Sequence, residues 1–362
     1  MANIPGGKHT KVLLLCLVFM LIYVFLYGSL TFKTATISNM MKTALDDLNV
    51  FKNNIEQIMR MDSLTDKNAL NIYNDSTYSD STLSNNTSGE KILLVMFTTF
   101  ASKPEKYLCR NNTVNNWATL APFVKSVFFS DDEDLSNRVR KTGWDVMRPK
   151  TSSIGVPILK FMYLDTMKKY NAHFYGYSNG DLLFTPSLVK TLQEIVKSKL
   201  YNERPMLIIG QRTNVRDVTE EQASTFENIT QLAQRGKLFT PWGEDFFITD
   251  SKYPWKDCPE VVIGRVAYDN FLVLDARKHE HTTIDATKTL LALHQTTKAG
   301  DSEGHKHPNG NFNNRLLGKI YKRINYAAGI TSCTSHITSL SQTVNGSHIQ
   351  ILQRKISKHC FP

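Results

Sequence analysis

Short apolar runs alternate with helix-like segments throughout the stretch that begins at Lys91. The sequence predicts strands at residues 92–98, 125–130, 144–147, 172–177 and 205–210, with helices between them at 104–117, 134–142, 157–170 and 186–200. Strands that alternate with helices form a mostly parallel sheet with helices on both faces. The expected fold is therefore α/β, with ligands bound beyond the carboxyl ends of the strands.

The pattern is less regular in the second half of the chain. Residues 212–238 are polar and predict mostly loop, with a helix through 220–235. An aromatic-rich stretch follows at 239–249, a helix is predicted at 266–279, and a strand at 288–294. The segment from Lys91 onwards has about 270 residues, enough to bury a substantial core in one domain. We therefore predict a single globular domain over residues 91–362.

The first thirty residues have the pattern of a membrane anchor. Residues 12–30 carry no charge and are nearly all large and apolar, and a helix of this length spans the roughly 30 Å hydrocarbon core. A cleavable signal peptide is the alternative, but its apolar region is typically ~7–15 residues long and ends in a small-residue cleavage site. Lys8 and Lys11 favour a cytoplasmic tail at residues 1–11, which puts the rest of the chain in the lumen.

Residues 31–90 predict a lumenal stem. Apolar residues recur at near-helical intervals over 31–61, and residues 62–90 are rich in Ser, Thr, Asn and Asp and cannot bury enough surface to order themselves. Acceptor sites for N-linked glycans, which agree with lumenal placement, occur at Asn74, Asn85, Asn86, Asn111, Asn228 and Asn345.

Four cysteines lie outside the predicted membrane helix, at positions 109, 258, 333 and 360. An even number in an oxidising compartment suggests two disulfides, and four cysteines allow three pairings, among which the sequence does not choose. The sequence contains no Cys-x-x-Cys pair and no Cys/His spacing typical of zinc sites.

The formal net charge of +10 raises the question of nucleic-acid binding. The basic residues are dispersed and form no nucleic-acid motif, so a solvated basic surface is the better interpretation. Such a surface also favours the entry of anionic ligands into a cleft.

The segment 174–184 reads Phe-Tyr-Gly-Tyr-Ser-Asn-Gly-Asp-Leu-Leu-Phe, two apolar strand-like runs joined by a turn. The turn carries Asn179 and the carboxylate of Asp181. Mg²⁺ and Mn²⁺ prefer one or two carboxylates together with phosphate oxygens of a substrate, so this turn is a candidate metal site. The same residues also make an ordinary turn between strands.

Two further groups of residues follow predicted strands. Thr98, Thr99 and Phe100 end the first strand, where such sheets meet a nucleotide, although a strand end of this kind is also ordinary structure. The acidic run 131–134 follows the second strand. It favours capping of the next helix over ligand binding, and Asp131 is the best candidate ligand within it.

The second half supplies the remaining candidates. Asp269 lies in the first turn of a predicted helix, where it can complement the helix dipole or act as a general base on an acceptor hydroxyl. His294 can complete a metal site opposite Asp181 or be a hydrogen-bonded structural histidine. The Gly-rich cationic segment with Lys298, His305 and His307 can close over a diphosphate or form a plain surface loop.

Taken together, these motifs resemble glycosyltransferases of the GT-A type, and in particular a little-characterised group of glycosyltransferase-like proteins. The resemblance covers about residues 91–317 and rests on Asn-Gly-Asp, Gly-Arg-Val-Ala-Tyr-Asp-Asn-Phe-Leu and Leu-His-Gln in this order. It implies a Rossmann-like nucleotide-binding fold, a nucleotide-sugar donor and Mn²⁺ or Mg²⁺. It places the last aspartate of a DxD-like motif on Asp181, the helix-opening acid on Asp269 and the metal histidine on His294. Asn179 departs from the usual first aspartate, and its amide is a weaker metal ligand.

The sequence thus predicts a Golgi type II membrane glycosyltransferase of the hexosyl or N-acetylhexosaminyl class, acting on a glycan or glycoprotein acceptor. A non-catalytic carbohydrate-binding protein on the same fold is the alternative. A lumenal sulfotransferase is disfavoured, because Thr-Thr-Phe-Ala-Ser-Lys-Pro after the first strand is a poor phosphate loop. Donor sugar, stereochemistry and oligomeric state are left open by the sequence.

Overall fold

The computed structural model describes residues 91–297, 307–343 and 346–361, all within one compact unit, Ser88–Pro362. The predicted cytoplasmic tail, membrane helix and stem lie outside the described residues, as do Lys298 and His305. Among the helices that the structure describes, none is both long and apolar enough to cross a membrane.

The first half of this unit alternates strands with helices. Its elements are β1 (Ile92–Thr98), α1 (Tyr107–Ala118), β2 (Val124–Phe129), α2 (Glu133–Arg140), β3 (Asp145–Met147), α3 (Leu159–Lys169), β4 (Ala172–Ser178), β5 (Leu182–Phe184), α4 (Ser187–Lys197) and β6 (Met206–Ile209). The predicted order of strands and helices is confirmed here, with bounds that differ by up to three residues.

The second half contains β7 (Thr213–Arg216), α5 (Phe226–Gln234), β8 (Lys237–Leu238), β9 (Phe246–Asp250), α6 (Tyr268–Lys278), β10 (Thr282–Asp285), β11 (Ala292–Thr296), α7 (Phe312–Ile320), β12 (His336–Thr343) and β13 (Gly346–Gln353). Two predictions were wrong. The stretch predicted as mostly loop holds two strands, and the strand predicted at 288–294 begins four residues later. The carboxylate of Asp285 accepts the N–H of Thr287 at 3.0 Å and so favours a turn where the strand was expected.

The described strands form a nine-stranded sheet in the order β13-β12-β10-β6-β9-β4-β1-β2-β3 and a four-stranded sheet in the order β5-β11-β7-β8. In the large sheet, β3, β2, β1 and β4 are parallel to one another, and so are β6, β10 and β12. Strand β9 lies antiparallel between β4 and β6, and β13 is antiparallel at the edge. The fold is mixed α/β with a large, mostly parallel sheet, which confirms the predicted fold class in this coarse form.

Apolar layers cover both faces of the large sheet. Along β1, Leu94 and Met96 pack in one layer and Val95 and Phe97 in the other, which is why the strand reads as an unbroken apolar run. Each such side chain contributes roughly 1.5–3 kcal/mol by leaving water. The two layers fix the strand positions, and so fix the residues at the strand ends.

Helix α1 holds the small sheet against the large one. The indole N–H of Trp117 donates to the carbonyl of Leu182 at 2.9 Å, and the side chain of Asn116 hydrogen-bonds with both backbone groups of Phe184 at 2.8 and 2.9 Å. Strand β5 is thereby fixed directly after the Asn179–Asp181 turn.

The cysteines form one disulfide among the described residues, Cys333–Cys360, with Cα atoms 5.3 Å apart. Cys109 and Cys258 are buried free thiols, so the prediction of a second disulfide was wrong. Cys258 packs in the apolar layer that contains α3 residues, while Cys109 lies on α1, whose Val114 and Trp117 pack in the opposite layer. The sheet therefore separates the two thiols.

Candidate active site at the carboxyl edge of the sheet

Strand direction brings a second acidic segment to the Asn179–Asp181 turn. Because β9 runs antiparallel to β4, the start of β9 lies beside the end of β4, with Phe246 opposite Ser178. The N–H of Asn179 donates to the carbonyl of Asp245 at 2.9 Å. Glu244 and Asp245 therefore lie at the same edge as Asp181.

Asp181 is an ionised carboxylate with one oxygen available to a ligand. Its Oδ2 lies 3.5 Å from Nε2 of His294, and its Oδ1 is buried without a hydrogen-bond partner among the described residues. Burial raises the pKa of Asp181, but the charge and hydrogen bond of His294 and the charges of Arg212 and Lys106 outweigh this effect and lower the pKa overall. A buried carboxylate oxygen without a hydrogen-bond partner is rare in folded proteins, so this atom is a candidate ligand for a bound group.

Pairing within the small sheet places the histidine beside Asp181. His294 lies opposite Leu182 in the β5–β11 pair and is 5 % exposed, and its Nδ1 is 3.1 Å from the hydroxyl of Thr296. The next residue, Gln295, donates its backbone N–H to the carbonyl of Asp181 at 3.0 Å and accepts from the Asn112 amide of α1 at 2.9 Å. The turn and the histidine are thus held in a fixed relation.

The structure gives a physical reason for the asparagine at position 179. Its Nδ2 donates to Oδ1 of Asp245 at 2.7 Å, and its Oδ1 accepts from the hydroxyl of Tyr177 at 2.9 Å. The other oxygen of Asp245 forms a buried ion pair with Arg212, whose guanidinium lies 4.3 Å from the centre of the Phe239 ring. An aspartate at position 179 would place two carboxylates in contact, which like-charge repulsion disfavours.

The end of β1 contacts the same turn. A Cβ on Gly180 would lie 2.5 Å from Cδ1 of Phe100 and 3.3 Å from the hydroxyl oxygen of Thr98. The Phe100 ring packs against Phe128 with centroids 4.6 Å apart. The Thr98 hydroxyl is buried and has no hydrogen-bond partner among the described residues, and Thr99 is half-buried beside it. The end of β1 therefore lies against the Asn179–Asp181 turn, while the nucleotide-binding role of Thr98, Thr99 and Phe100 stays a prediction.

Two further carboxylates, those of Asp269 and Glu244, lie near the start of α6. Asp269 is half-buried in the first turn, where its Oδ1 accepts the N–H of Asn270 at 3.0 Å. The Asn270 side chain donates to Oε2 of Glu244 at 3.1 Å. Glu244 is 1 % exposed, and burial, with the nearby charge of Asp269, raises its pKa well above the usual range. Two acids whose environments differ in this way can take different protonation states at one pH.

Two tyrosines connect the Asp181 turn to the start of α6, which carries Asp269. The hydroxyl of Tyr177, which donates to Asn179, also interacts with Tyr268, the first residue of α6 and the neighbour of Asp269. Burial raises the pKa of both tyrosines, and the charge of Asp181 raises it further. The Asp181 turn and the Asp269 helix therefore belong to one connected site.

Other predicted residues lie apart from these contacts. Asp131 is exposed after β2, and its neighbour Asp132 caps α2 by accepting the N–H of Leu135 at 3.0 Å, so the capping interpretation holds for Asp132. His307 lies 3.2 Å from the guanidinium of Arg265. Among the described residues, no contact joins Asp131 or His307 to Asp181.

Glu244, Asp245 and Arg212 were missed by the sequence analysis. The only sequence signal is an acidic pair directly before the apolar run at 246–248, which reads as a loop before a strand. Its importance depends on the direction of β9, which sequence periodicity does not give.

Neither a protein-family model nor a curated protein matches the sequence. Among solved structures, the chain is similar to mannosyl-3-phosphoglycerate synthase from Rubrobacter xylanophilus, at 12% identity over 73% of this chain and 86% of that chain, with a TM-score of 0.35. A second is glucosyl-3-phosphoglycerate synthase from Mycobacterium tuberculosis in complex with Mn²⁺, uridine diphosphate and phosphoglyceric acid, at 10% identity over 73% of this chain and 87% of that chain, with a TM-score of 0.35. A third is CMP:2-keto-3-deoxy-manno-octonic acid synthetase complexed with CTP, at 12% identity, 64% and 99% coverage and a TM-score of 0.32. Similarities this distant say nothing about the substrate or metal of this protein.

Proposed function

We propose that the protein is a glycosyltransferase that moves a sugar from a nucleotide sugar to a hydroxyl of a glycan or glycoprotein. The observation that carries the proposal is the buried Oδ1 of Asp181, which has no partner among the described residues and lies beside the buried His294. This oxygen lies at the carboxyl edge of a mostly parallel sheet, where such folds bind nucleotides. The Thr98 hydroxyl, which is buried beside Gly180 and has no hydrogen-bond partner among the described residues, offers a further polar contact.

The residues present fit a divalent cation. Asp181 and His294 would hold it, and a carboxylate with an imidazole suits Mn²⁺ better than Mg²⁺, which prefers oxygen ligands. Asn179 fits less well as a ligand, because its amide already hydrogen-bonds with Asp245 and Tyr177. The bound cation would neutralise charge on the diphosphate leaving group.

The carboxylates of Glu244 and Asp269 suit the acceptor side of the reaction, where a hydroxyl loses its proton. Glu244 favours its protonated form, because burial raises its pKa, and it leaves Asp269 as the carboxylate able to take a proton from the acceptor hydroxyl. This role applies if the enzyme inverts the anomeric centre. If it retains the configuration, Asp269 orients the acceptor or stabilises positive charge on the sugar.

Cationic side chains favour an anionic donor. Lys106 lies close enough to Asp181 to lower its pKa, so a diphosphate that reaches this turn meets its positive charge. Arg212 also lowers the pKa of Asp181, but its own charge is balanced by Asp245. The net charge of +10 acts in the same direction over a longer range.

We place the protein in the Golgi membrane as a single-pass type II protein. Residues 12–30 are the proposed anchor and residues 31–90 the stem. The Cys333–Cys360 disulfide supports an oxidising compartment for the catalytic part, since disulfides are rare in the cytosol.

The first test is a donor screen on the full chain in detergent, recording nucleotide diphosphate release from a panel of nucleotide sugars with Mn²⁺ or with a chelator. We expect release from one donor, dependent on metal and reduced at least about a hundredfold in Asp181→Asn, since even outer-shell changes at metal sites cost 10–100-fold. Asp257→Asn, an exposed aspartate with the same chemical change, is the matched control.

The alternative outcome is also specific. If the folded protein releases no nucleotide diphosphate from any donor, with or without candidate acceptors, the transferase proposal fails. Glycan binding by the same preparation, unaffected by chelator, would then support a carbohydrate-binding protein on this fold.

A further inference from the structure

Asn270 contacts two other segments of the chain, residues 242–244 and Gly329, from a position next to Asp269. Its side-chain amide lies within hydrogen-bond distance of Oε2 of Glu244 (3.1 Å), of the Gly329 carbonyl (3.2 Å) and of the Trp242 carbonyl (3.4 Å). Its own carbonyl lies so close to Gly329 that a Cβ there would be 1.8 Å from the oxygen. Only glycine allows this approach.

The loop that makes this approach, residues 326–334, is called the clamp loop here. It also contacts the acidic segment before β9. The Thr331 hydroxyl lies 3.1 Å from Oε1 of Glu244 and 3.1 Å from the carbonyl of Pro241, and the Thr331 N–H donates to the same carbonyl at 2.9 Å. Both oxygens of Glu244 are therefore engaged, one by α6 and one by the clamp loop.

The far side of the clamp loop is attached to the body of the protein. The disulfide joins Cys333 to Cys360, and Arg277 of α6 donates to the carbonyls of Ala328 (2.6 Å) and Cys360 (2.5 Å). Arg354, the residue after β13, donates to the carbonyl of Thr331 at 2.7 Å. The C-terminal region is thus linked, through the clamp loop, to Glu244 and to the helix that carries Asp269. The disulfide and the arginine hydrogen bonds that make this link take no part in the proposed chemistry.

The start of α6 needs such support. Ala267, the residue before the helix, has φ of +81°, a left-handed conformation that non-glycine residues rarely adopt. A backbone of this kind persists only where its surroundings hold it. Asp269 is two residues further on, and its direction depends on this turn.

We propose that the clamp loop is a positioning element for the acceptor side of the site, in which Thr331 fixes Glu244 and Gly329 fixes Asn270 at the start of the Asp269 helix. Thr331 and Asn270 are positioning residues, since they act through Glu244 and Asp269. The effect on rate rests on the proposed transferase function. The effect on local structure does not.

Hydrogen exchange on the full chain tests the structural part. Thr331→Val removes the hydroxyl and keeps the shape, and should raise exchange about fivefold, the effect of one lost hydrogen bond, at the amides of Phe271 and Gly243. These amides donate to Ala267 and Thr240 at 3.2 Å. Thr331→Ser, which restores the hydroxyl, should restore protection.

Thr338→Val is the matched control. Thr338 is fully buried on β12, and its hydroxyl bonds with Thr289 and with the Asp285 carbonyl, away from Asn270. Thr338→Val should leave the hydrogen-exchange rates of the Phe271 and Gly243 amides unchanged. Equal exchange in the two valine variants, or no recovery in Thr331→Ser, would overturn the proposal.

Kinetics test the functional part with the donor that the screen identifies. Thr331→Val and the double variant Cys333→Ser/Cys360→Ser should lower kcat for nucleotide diphosphate release about fivefold or more and leave the donor KM within about twofold. A change in donor KM alone would contradict an acceptor-side role. If the wild type uses no donor, the transferase proposal fails, and hydrogen exchange still decides whether the clamp exists.

Discussion

Glu244 is almost completely buried and lies near another carboxylate, a combination that raises its pKa well above the value of 4.5 expected for an exposed glutamate. The unfolded chain loses this proton at lower pH than the folded protein does. The folded state therefore binds more protons above pH 4.5, and the free energy of unfolding falls as pH rises towards the folded pKa.

Glu244→Gln should remove that fall in stability. Relative to wild type, the variant should gain about 1.4 kcal/mol in free energy of unfolding for each pH unit between the two pKa values. Urea denaturation at about pH 5 and about pH 7.5 measures the difference. The control is Glu227→Gln, an exposed glutamate of α5. If the free energies of unfolding of wild type and Glu244→Gln changed in parallel with pH, burial would not be raising the pKa of Glu244.

The resemblance favours an aspartate at position 179, whereas the contacts of Asn179 predict that an aspartate there lowers the stability of the protein. Asn179→Asp restores the usual DxD acid, but it places a carboxylate against Asp245, so we expect about 1–3 kcal/mol loss in the free energy of unfolding. Asn214→Asp is the matched control, because the Asn214 side chain accepts from Arg212 at 2.9 Å and a carboxylate there gains an ion pair. Urea denaturation compares them. A neutral Asn179→Asp would argue against the like-charge explanation.

At the residue scale, the sequence singled out some candidate site residues but did not identify the residues that contact them. Asp181 and His294 were singled out from a turn and a strand, and the structure places them 3.5 Å apart, while their role as metal ligands stays a prediction. Glu244 and Asp245 could not be found in the same way. Their position depends on an antiparallel strand within a parallel sheet, and helix and strand periodicity carries no information about direction.

At the scale of elements, the C-terminal hairpin β12–β13 extends the large sheet beyond β10. Arg354 connects this hairpin to the sheet, because its guanidinium donates to Oδ2 of Asp285 at 2.6 Å as well as to Thr331. Both partners of the ion pair are largely buried, with side-chain exposures of 17% and 7%. The hairpin is therefore attached by more than its backbone ladder.

Arg354→Met should lower the free energy of unfolding by about 3–5 kcal/mol, because it leaves the buried Asp285 carboxylate without its partner. Arg204→Met removes an exposed ion pair with Glu280 and should cost less than about 1 kcal/mol. Thermal or urea unfolding of both variants measures the contrast. Equal losses would mean that the hairpin is held by its strand pairing alone.

The elements that the sequence predicted well are those with one clear periodicity. The alternating strands and helices up to β6 follow the predicted order. Strands β7 and β8 are short and mostly polar, and apart from the buried Val215 their side chains are partly or fully exposed, so their pattern resembles a loop. The strand expected at 288–294 was shifted by the turn that Asp285 closes, a local hydrogen bond that apolar periodicity does not register.

At the scale of the whole molecule, the described residues and the N-terminal sequence point to different environments. The α/β domain has buried apolar layers on both sheet faces and a disulfide. Residues 12–30 are uncharged and long enough, as a helix, to span a bilayer. The proposed arrangement, a membrane anchor with the disulfide-bonded domain on the oxidising side, accommodates both features.

Protease protection in sealed microsomes tests that arrangement. The proposed lumenal placement of residues 31–362 predicts that a C-terminal epitope resists trypsin until detergent is added. Leu21→Arg/Ile22→Arg should abolish protection, since each arginine at a helix centre costs about 2.5 kcal/mol or more on insertion scales. Leu83→Arg, in the polar stretch after the anchor, should have no effect. Digestion of the wild-type epitope in intact microsomes would place the catalytic part in the cytosol, where the Cys333–Cys360 disulfide would be reduced.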